Sequence, residues 1–300
     1  MSTRRSLPIE QYQGVVCALP EEMSAAIAIL DERHKPIICQ DKRDPNNYVL
    51  GRIHEHNVVI ACLSAGIYNT NAAARVSRDM LKTFTGLRFR LMVGIGGGIP
   101  NPQNGLDIHL GDVVISQPDQ TYGGVVQYDL VKNLGDDHFD RKGFLKPPPT
   151  MLLTALATLR ADHNIGGSQV PAILADMIKQ HPNLVKNGYE FPGREKDCLY
   201  CPQCDGAHLS TSCKSYTNGK IQREARTDQN PSFWYGIIAS GNELVKNAAR
   251  RDRLGHKFGA LCVEMEGLMN DFPCIVIRGI CDYADSHKND IWQKYAVPQQ

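Results

Sequence analysis

Short apolar runs separated by amphipathic stretches set the pattern of this chain. Gly14–Leu19, Val58–Leu63 and Cys274–Ile280 are apolar over the length of a buried strand. Glu21–Leu30 and the stretch from about Asn71 to Phe84 have the composition and periodicity of helices. Strands that alternate with helices indicate a three-layer α/β domain.

The same pattern predicts the remaining elements and the limits of the domain. Strands are expected from Arg90 and at Tyr48–Ile53, Leu110–Ser116, Gly123–Asp129 and Phe233–Ala239, and helices at about 147–162, at 168–182 and ending near Leu254. We expect residues 13–300 to form one domain with a polar, cysteine-containing insertion at about 183–231. Residues 1–12 are predicted to be a flexible arm.

A glycine-rich stretch, Gly94–Gly98, continues the strand that begins at Arg90. We expect it to form a loop, in which glycines let backbone amides approach a ligand closely. It lacks the Gly-Lys-Ser/Thr of a P-loop, and Ile99 stands where a dinucleotide fingerprint requires glycine. The glycines alone do not identify a ligand.

Acidic residues stand at the ends of predicted strands. Asp282 follows Cys274–Ile280, and Glu264 and Glu266 flank Met265 after an apolar run. Ligands of open α/β sheets bind outside the carboxyl ends of the strands, and carboxylates buried there need partners. Alternatively, the two glutamates lie on the solvated face of a helix and Asp282 is a turn residue.

Glu21 and Glu22 follow Pro20 at the start of the first predicted helix. Proline suits the first turn, where no amide donor is needed, and both acids stabilise the positive N-terminal end of the helix. Helix stabilisation therefore accounts for them without any chemistry. Glu21 also lies at the carboxyl end of a strand, where a functional carboxylate is expected.

The composition excludes some partners. Among the 300 residues, Lys+Arg 33 nearly balance Asp+Glu 32, and a net charge of +1 provides no electrostatic surface for nucleic acid. No apolar run reaches membrane-spanning length, and the N-terminal residues lack the apolar stretch of a signal peptide. We expect a cytoplasmic homo-oligomer that binds a small molecule and has neither a nucleic-acid nor a membrane partner.

Four of the ten cysteines cluster in the insertion, at Cys198, Cys201, Cys204 and Cys213. Closely spaced thiols predict a structural zinc site, although the spacing matches no standard zinc ribbon. Free thiols are the alternative. In either case we expect the insertion to be separable from catalysis.

Five motifs occur in a recognisable order: Ala18–Glu22, Val93–Gly98, Leu110–Ser116, Val263–Glu266 and Arg278–Asp282. Together they resemble the purine/uridine phosphorylase and methylthioadenosine/S-adenosylhomocysteine nucleosidase superfamily, in particular its fungal branch associated with NLR-like proteins. The resemblance covers about residues 13–296. It implies a three-layer α/β/α fold with a central mixed sheet, and cleavage of the N-glycosidic bond of a purine nucleoside with no required cofactor.

The resemblance also implies roles for the acidic motifs. Asp282 is expected to act as general acid at purine N7, because the base leaves poorly unless it is protonated. Glu266 is expected to bind the ribose 2′ and 3′ hydroxyls, and Met265 to pack against the sugar. Negative charge there also stabilises the cationic ribosyl fragment.

Two further segments are expected at the site by the same resemblance. Ile95, Gly96 and Gly97 would line it, and Asn242 and Glu243 would lie in the loop that contacts the base. No aromatic residue that would stack on the base is evident near that loop.

Phosphate-dependent relatives hold phosphate at positions that correspond here to Met92 and Ile95. Neither side chain offers charge or a donor, so hydrolysis is favoured over phosphorolysis. In the nucleosidases a glutamate after the first strand activates water, and Glu21 is the best match.

The segment Gly267–Ile277 departs from the resemblance, because it is about two residues shorter than in the fungal relatives. That is over half a helical turn, enough to move Glu266 out of register with Asp282. The chain also ends before an expected last helix. A nucleoside-binding module without turnover is therefore one alternative, and a nucleosidase for nucleotides such as ATP is another.

Overall fold

The computed structural model describes residues 7–133, 139–141, 145–202, 219–224, 226, 228–267 and 274–299. Its strands are β1 (Tyr12–Cys17), β2 (Glu32–Arg33), β3 (Tyr48–Ile53), β4 (His56–Cys62), β5 (Arg90–Gly98), β6 (Val113–Ser116), β7 (Val125–Gln127), β8 (Val131–Asn133), β9 (Phe139–Arg141), β10 (Phe233–Ser240), β11 (Ala260–Glu264) and β12 (Cys274–Asp282). Its α-helices are α1 (Pro20–Ala28), α2 (Thr70–Thr83), α3 (Thr150–Gly166), α4 (Val170–Gln180), α5 (Asn183–Lys186), α6 (Ala248–Phe258) and α7 (Gln293–Ala296).

Ten of these strands form one mixed sheet, in the order β11-β10-β6-β12-β5-β1-β4-β3-β2 with β7 beside β10. The central neighbours β4, β1, β5 and β12 run parallel, whereas β3 and β6 run antiparallel to their central neighbours. Strand β11 pairs with β10 and also, antiparallel, with the end of β5. This second pairing brings the ends of β5, β11 and β12 together.

Alternate side chains of β1 pack against helices on opposite faces of the sheet. Val16 packs in one apolar cluster with Ala73 and Met80 of α2. Val15 and Cys17 belong to a second cluster with partly buried side chains of α1. Burial of one such aliphatic side chain contributes about 1.5–3 kcal/mol. Layers of helix on both faces confirm the predicted α/β/α architecture.

Gly94–Gly98 continue strand β5 and do not form the predicted loop. A Cβ at Gly96 would lie 2.4 Å from Cys262 Sγ, and one at Gly94 would lie 2.2 Å from Arg278 Nη1. These glycines therefore serve close packing between neighbouring strands, which alternation of apolar residues alone does not reveal.

The flexible arm predicted at residues 1–12 is too long, because the core already includes residues before Gln13. Tyr12 is the first residue of β1 and is 1% exposed, and its hydroxyl lies 2.9 Å from His34 Nδ1. Leu7 and Ile9 pack against the same core. Residues 1–6 lie outside the described part of the chain.

The insertion has little regular structure in its described residues. Between α5 and β10 it contains a 3₁₀ turn at Arg194–Lys196 and an antiparallel bridge between Tyr200 and Lys220. Arg226 ties it to the sheet through Asp112, with Nη2 donating to Oδ2 at 2.7 Å. Over the described ranges, no helix is both long and apolar enough to span a bilayer.

Gly94→Ala is expected to destabilise the protein by about 1–3 kcal/mol, because the new methyl group would overlap Arg278 Nη1 and approach Glu22 Oε1 at 2.8 Å. Urea unfolding measures the change. Gly166→Ala is the control, since a Cβ there meets no atom within 4 Å. Equal midpoints for the two variants would contradict the packing argument.

Candidate functional site

A cavity of about 350 Å³ lies where β1, β5, β11 and β12 end. Its volume is within the range of small-molecule sites, about 300–1,000 Å³. It is lined by seven of the nine predicted catalytic and substrate-binding residues, namely Ile95, Gly96, Gly97, Glu243, Met265, Glu266 and Asp282. The short segment after Glu266 therefore still delivers Glu266 and Asp282 to one pocket, although residues 268–273 lie outside the described chain.

Glu264, which lines this cavity, belongs to a buried ion pair. Arg278, which is 0% exposed, donates from Nη2 to Glu264 Oε2 at 2.5 Å. Glu264 also accepts the amides of Glu266 and Gly267, each at 2.9 Å. Burial would lower the pKa of Arg278, but Glu264 and two further glutamates raise it above its usual value. Glu264 is thus fully engaged at the end of a strand, which overturns the solvated-helix interpretation.

Glu266 is held more loosely than Glu264. Its Oε2 lies 3.4 Å from Arg278 Nη2, and its side chain is 10% exposed to the cavity. Burial, helped by Glu264 and Glu22 and opposed by Arg278, raises the pKa of Glu266 to about 8. A carboxylate so placed retains acceptor capacity for the hydroxyl groups of a ligand.

Glu22, and not the predicted Glu21, faces the cavity. Its Oε2 accepts the amides of Ala18 at 2.6 Å and Leu19 at 2.9 Å, and its Oε1 accepts the amide of Ile95 at 2.9 Å. Each carboxylate oxygen has two lone pairs, so Oε1 can still accept a proton from the cavity side. Burial raises the pKa of Glu22, although Arg278 and these amides oppose the shift.

Glu21 is adjacent in sequence but points elsewhere. Its side chain is half-buried and is not part of the cavity lining, and its carbonyl accepts a hydrogen bond from Tyr189 Oη at 3.1 Å. Neighbouring residues of a helix are about 100° apart, so only one of the two glutamates can face a given site.

Asp282 is 4% exposed and has partners on both oxygens. Ala284 N donates to Oδ1 at 2.8 Å, and Lys288 Nζ donates to Oδ2 at 2.6 Å. Cys281 Sγ lies 3.2 Å from the same Oδ2. Burial would lower the pKa of Lys288, but Asp282 raises it above its usual value. The ammonium therefore remains charged beside the carboxyl group.

Asn242 does not line the cavity. Its Oδ1 accepts from Thr70 Oγ1 at 2.7 Å, and its Nδ2 donates to Asp129 Oδ2 at 3.0 Å. The amide thus ties the end of β10 to the start of α2. Its neighbour Glu243 does line the cavity, but the sequence did not reveal the partners of Asn242.

Several lining residues were not predicted. Tyr68 is the one aromatic side chain in the described lining, and Lys246, Lys288 and Asp290 supply further charges. Tyr68 follows β4, so its place after a predicted strand was an available signal. Trp234 is outside this lining and donates from Nε1 to Asp112 Oδ2 at 2.9 Å.

The predicted zinc ligands are only partly described. Cys198 is a free thiol that donates to the carbonyl of Glu195 at 3.2 Å, and Cys201 is disulfide-bonded. A half-cystine has no thiolate to offer zinc. The disulfide therefore removes Cys201 from the predicted ligand set. Cys204 and Cys213 lie outside the described residues, so their part in a zinc site stays a prediction. Elsewhere, the described ranges contain no group of three potential metal ligands.

Comparison with known proteins identifies the class. The family model of the phosphorylase superfamily matches residues 13–296, so the chain belongs to that superfamily. The predicted family and fold are therefore confirmed.

Individual relatives refine the comparison. An NLR-like protein of Hyaloscypha variabilis is 47% identical over 297 residues, which make up 98% of this chain but 29% of that protein. A 5′-methylthioadenosine/S-adenosylhomocysteine nucleosidase of Mycobacterium bovis is 25% identical, covering 90% of this chain and 85% of its own length. The structure of futalosine hydrolase from Helicobacter pylori superimposes with a TM-score of 0.58 at 18% identity, covering 97% of this chain and 94% of that one. This structural similarity, at low sequence identity, shows that the two chains share a fold.

Glu266→Gln is expected to stabilise the ligand-free protein at alkaline pH. Folding raises the pKa of this carboxyl group from 4.5 to about 8. The contribution of the group to the free energy of unfolding is therefore fully present at acid pH and is lost as the pH rises through about 8. The melting temperature of Glu266→Gln relative to wild type should therefore rise between pH 5 and pH 9. Glu55→Gln, in an exposed turn, is the control. A constant difference across this range would contradict the burial argument.

Proposed function

We propose that this chain hydrolyses the N-glycosidic bond of purine nucleosides to the free base and ribose. One observation carries the proposal: Glu22, Glu266 and Asp282, from three separate elements, line one small cavity. Each offers a group that the reaction needs, namely a base for water, an acceptor for ribose hydroxyls and an acid for the purine.

The reaction follows from these positions. Glu22 removes a proton from water, whose oxygen forms a bond to C1′ while the bond from C1′ to N9 breaks. Asp282 gives a proton to N7, so the base leaves neutral, and the ammonium of Lys288 stabilises the carboxylate that remains. Glu266 binds the ribose hydroxyls. The positive charge that develops on the sugar lowers the pKa of Glu266 from about 8, so its ionised form stabilises that charge.

Water fits this cavity better than phosphate. Met92 is 1% exposed in the apolar core, and Arg278 is already engaged by Glu264 and Glu266. A phosphate dianion entering the site would meet the negative charge of Glu22 and its neighbours. Among the described residues, the positions expected to hold it are Met92 and Ile95, which offer neither charge nor a side-chain donor. Relatives that are named as nucleosidases support the same preference.

A nucleotide is the second candidate substrate. Lys246 lies in the exposed loop after β10 and lines the same cavity. An ammonium group at the mouth can bind a 5′-phosphate, which a nucleoside lacks. Nucleosides and nucleotides therefore belong in one assay.

The test is release of free base from a panel of purine and pyrimidine nucleosides and nucleotides. We expect free base from purine substrates at equal rates with and without phosphate, together with ribose from nucleosides and the 5-phosphorylated sugar from any nucleotide that is cleaved. Pyrimidine substrates lack N7 and should be cleaved little. Ribose 1-phosphate as product would establish phosphorolysis. Tight nucleoside binding with no base release would establish the binding-module alternative.

Glu22→Gln and Glu21→Gln are expected to differ. Removing the base at Glu22 should lower kcat by about 10²–10⁴-fold, the usual contribution of acid–base groups. Glu21→Gln should remain near wild type because its side chain does not reach the cavity. Steady-state kinetics on the purine substrate that the wild type cleaves fastest measures kcat for both variants. A larger loss in Glu21→Gln would restore the assignment made from sequence.

A further inference from the structure

The segment 283–290 carries much of one wall of the cavity but has little regular structure. Ala284, Lys288 and Asp290 line the cavity directly after Asp282. Ala284 has a φ of 51°, a left-handed conformation that L-residues rarely adopt, and its amide orients Asp282. These residues lie in no strand or helix, so their placement depends on contacts from elsewhere. Arg251 of α6 supplies one of them, with Nη1 donating to the Tyr283 carbonyl at 2.9 Å, and the insertion supplies two more.

The first such contact comes from the insertion and holds Tyr283. Arg223 Nη2 donates to Tyr283 Oη at 2.7 Å and to Asp197 Oδ1 at 2.9 Å. The Tyr283 hydroxyl in turn donates to Asp197. His109 lies 2.6 Å from the other oxygen of Asp197. Tyr283 is 3% exposed, so this polar cluster is buried directly beside Asp282.

The second contact holds the other end of the segment. The ring of Tyr200 stacks on His287, with centroids 3.6 Å apart and an interplanar angle of 10°. His287 immediately precedes Lys288 in the chain. Tyr200 is itself fixed by backbone pairing, since the Cys201 amide donates to the Gly219 carbonyl at 3.0 Å.

We infer that Asp197, Tyr200 and Arg223 are positioning residues, which hold segment 283–290 and thereby place Asp282 and Lys288 for the reaction. This inference rests on the proposed function. It makes the insertion part of the catalytic unit, contrary to the expectation that it is separable. A displacement of about 1 Å at reacting groups can cost a large factor in rate, so loss of either contact is expected to lower kcat.

The stacking contact is tested with Tyr200→Ala, His287→Ala and the double variant. Each single variant should lose about tenfold in kcat with little change in KM, because the cavity remains but its acid is misplaced. The double variant should lose no more than either single one, and Tyr200→Phe should restore the rate. His163→Ala is the control, since it removes a ring contact with Phe233, at a centroid distance of 4.7 Å, and neither residue lines the cavity.

The polar contact is tested with Tyr283→Phe, which keeps the ring and removes the hydroxyl. A fall of about tenfold in kcat is expected. Tyr48→Phe is the matched control, because its hydroxyl donates to Asp44 at 2.7 Å and lies outside the cavity lining. If Tyr283→Phe and Tyr200→Ala both behave like their controls, the inference is wrong.

Hydrogen–deuterium exchange separates this inference from the proposed function. Exchange in residues 283–290 should increase in Tyr200→Ala and His287→Ala but not in His163→Ala, whatever reaction the protein performs. If wild type releases no base, the proposed function fails while a local increase in exchange still supports positioning. Unchanged exchange with unchanged kcat overturns the positioning role alone.

Discussion

The structure depends on one buried cation that faces several buried acids. Arg278 is 0% exposed and lies beside Glu264, Glu266 and Glu22, which all raise its pKa. Breaking a buried ion pair by removing one partner costs about 3–5 kcal/mol, because an uncompensated charge remains. Gly94 makes room for the guanidinium, and β5 and β12 must keep their register to hold it there.

The same charges also determine which carboxyl group of the site remains available to a ligand. Burial raises the pKa of Glu266 to about 8, and Glu264 and Glu22 add to the shift, which Arg278 opposes. Glu264 takes the short hydrogen bond of Arg278 and two amides, so Glu266 keeps only a 3.4 Å contact with Arg278. A cationic ribosyl fragment would supply the missing positive charge. The buried glutamates that cost folding free energy would therefore be the same groups that stabilise the transition state of glycosidic-bond cleavage.

The part of the lining that contains Asp282 is built differently. Asp282 ends a central strand, but its oxygens are oriented by Ala284 and Lys288, which lie in an irregular segment. Contacts from Tyr200 and Arg223, far away in sequence, hold that segment. The site thus combines rigid strand ends with a wall whose geometry depends on the insertion.

The sequence alone determined the alternation of strands and helices and, through its motifs, the family, because apolar periodicity and local motifs record strand ends directly. The resemblance carried by those motifs also pointed to Glu266, Met265 and Asp282, which line one cavity. Only the tertiary structure showed that Glu22, and not Glu21, faces the cavity, since neighbouring residues on a helix point in different directions. It also showed that Asn242 serves a structural contact and that Lys288 pairs with Asp282. These outcomes depend on which side chains meet across the fold, and that is set by packing between distant segments rather than by spacing along the chain.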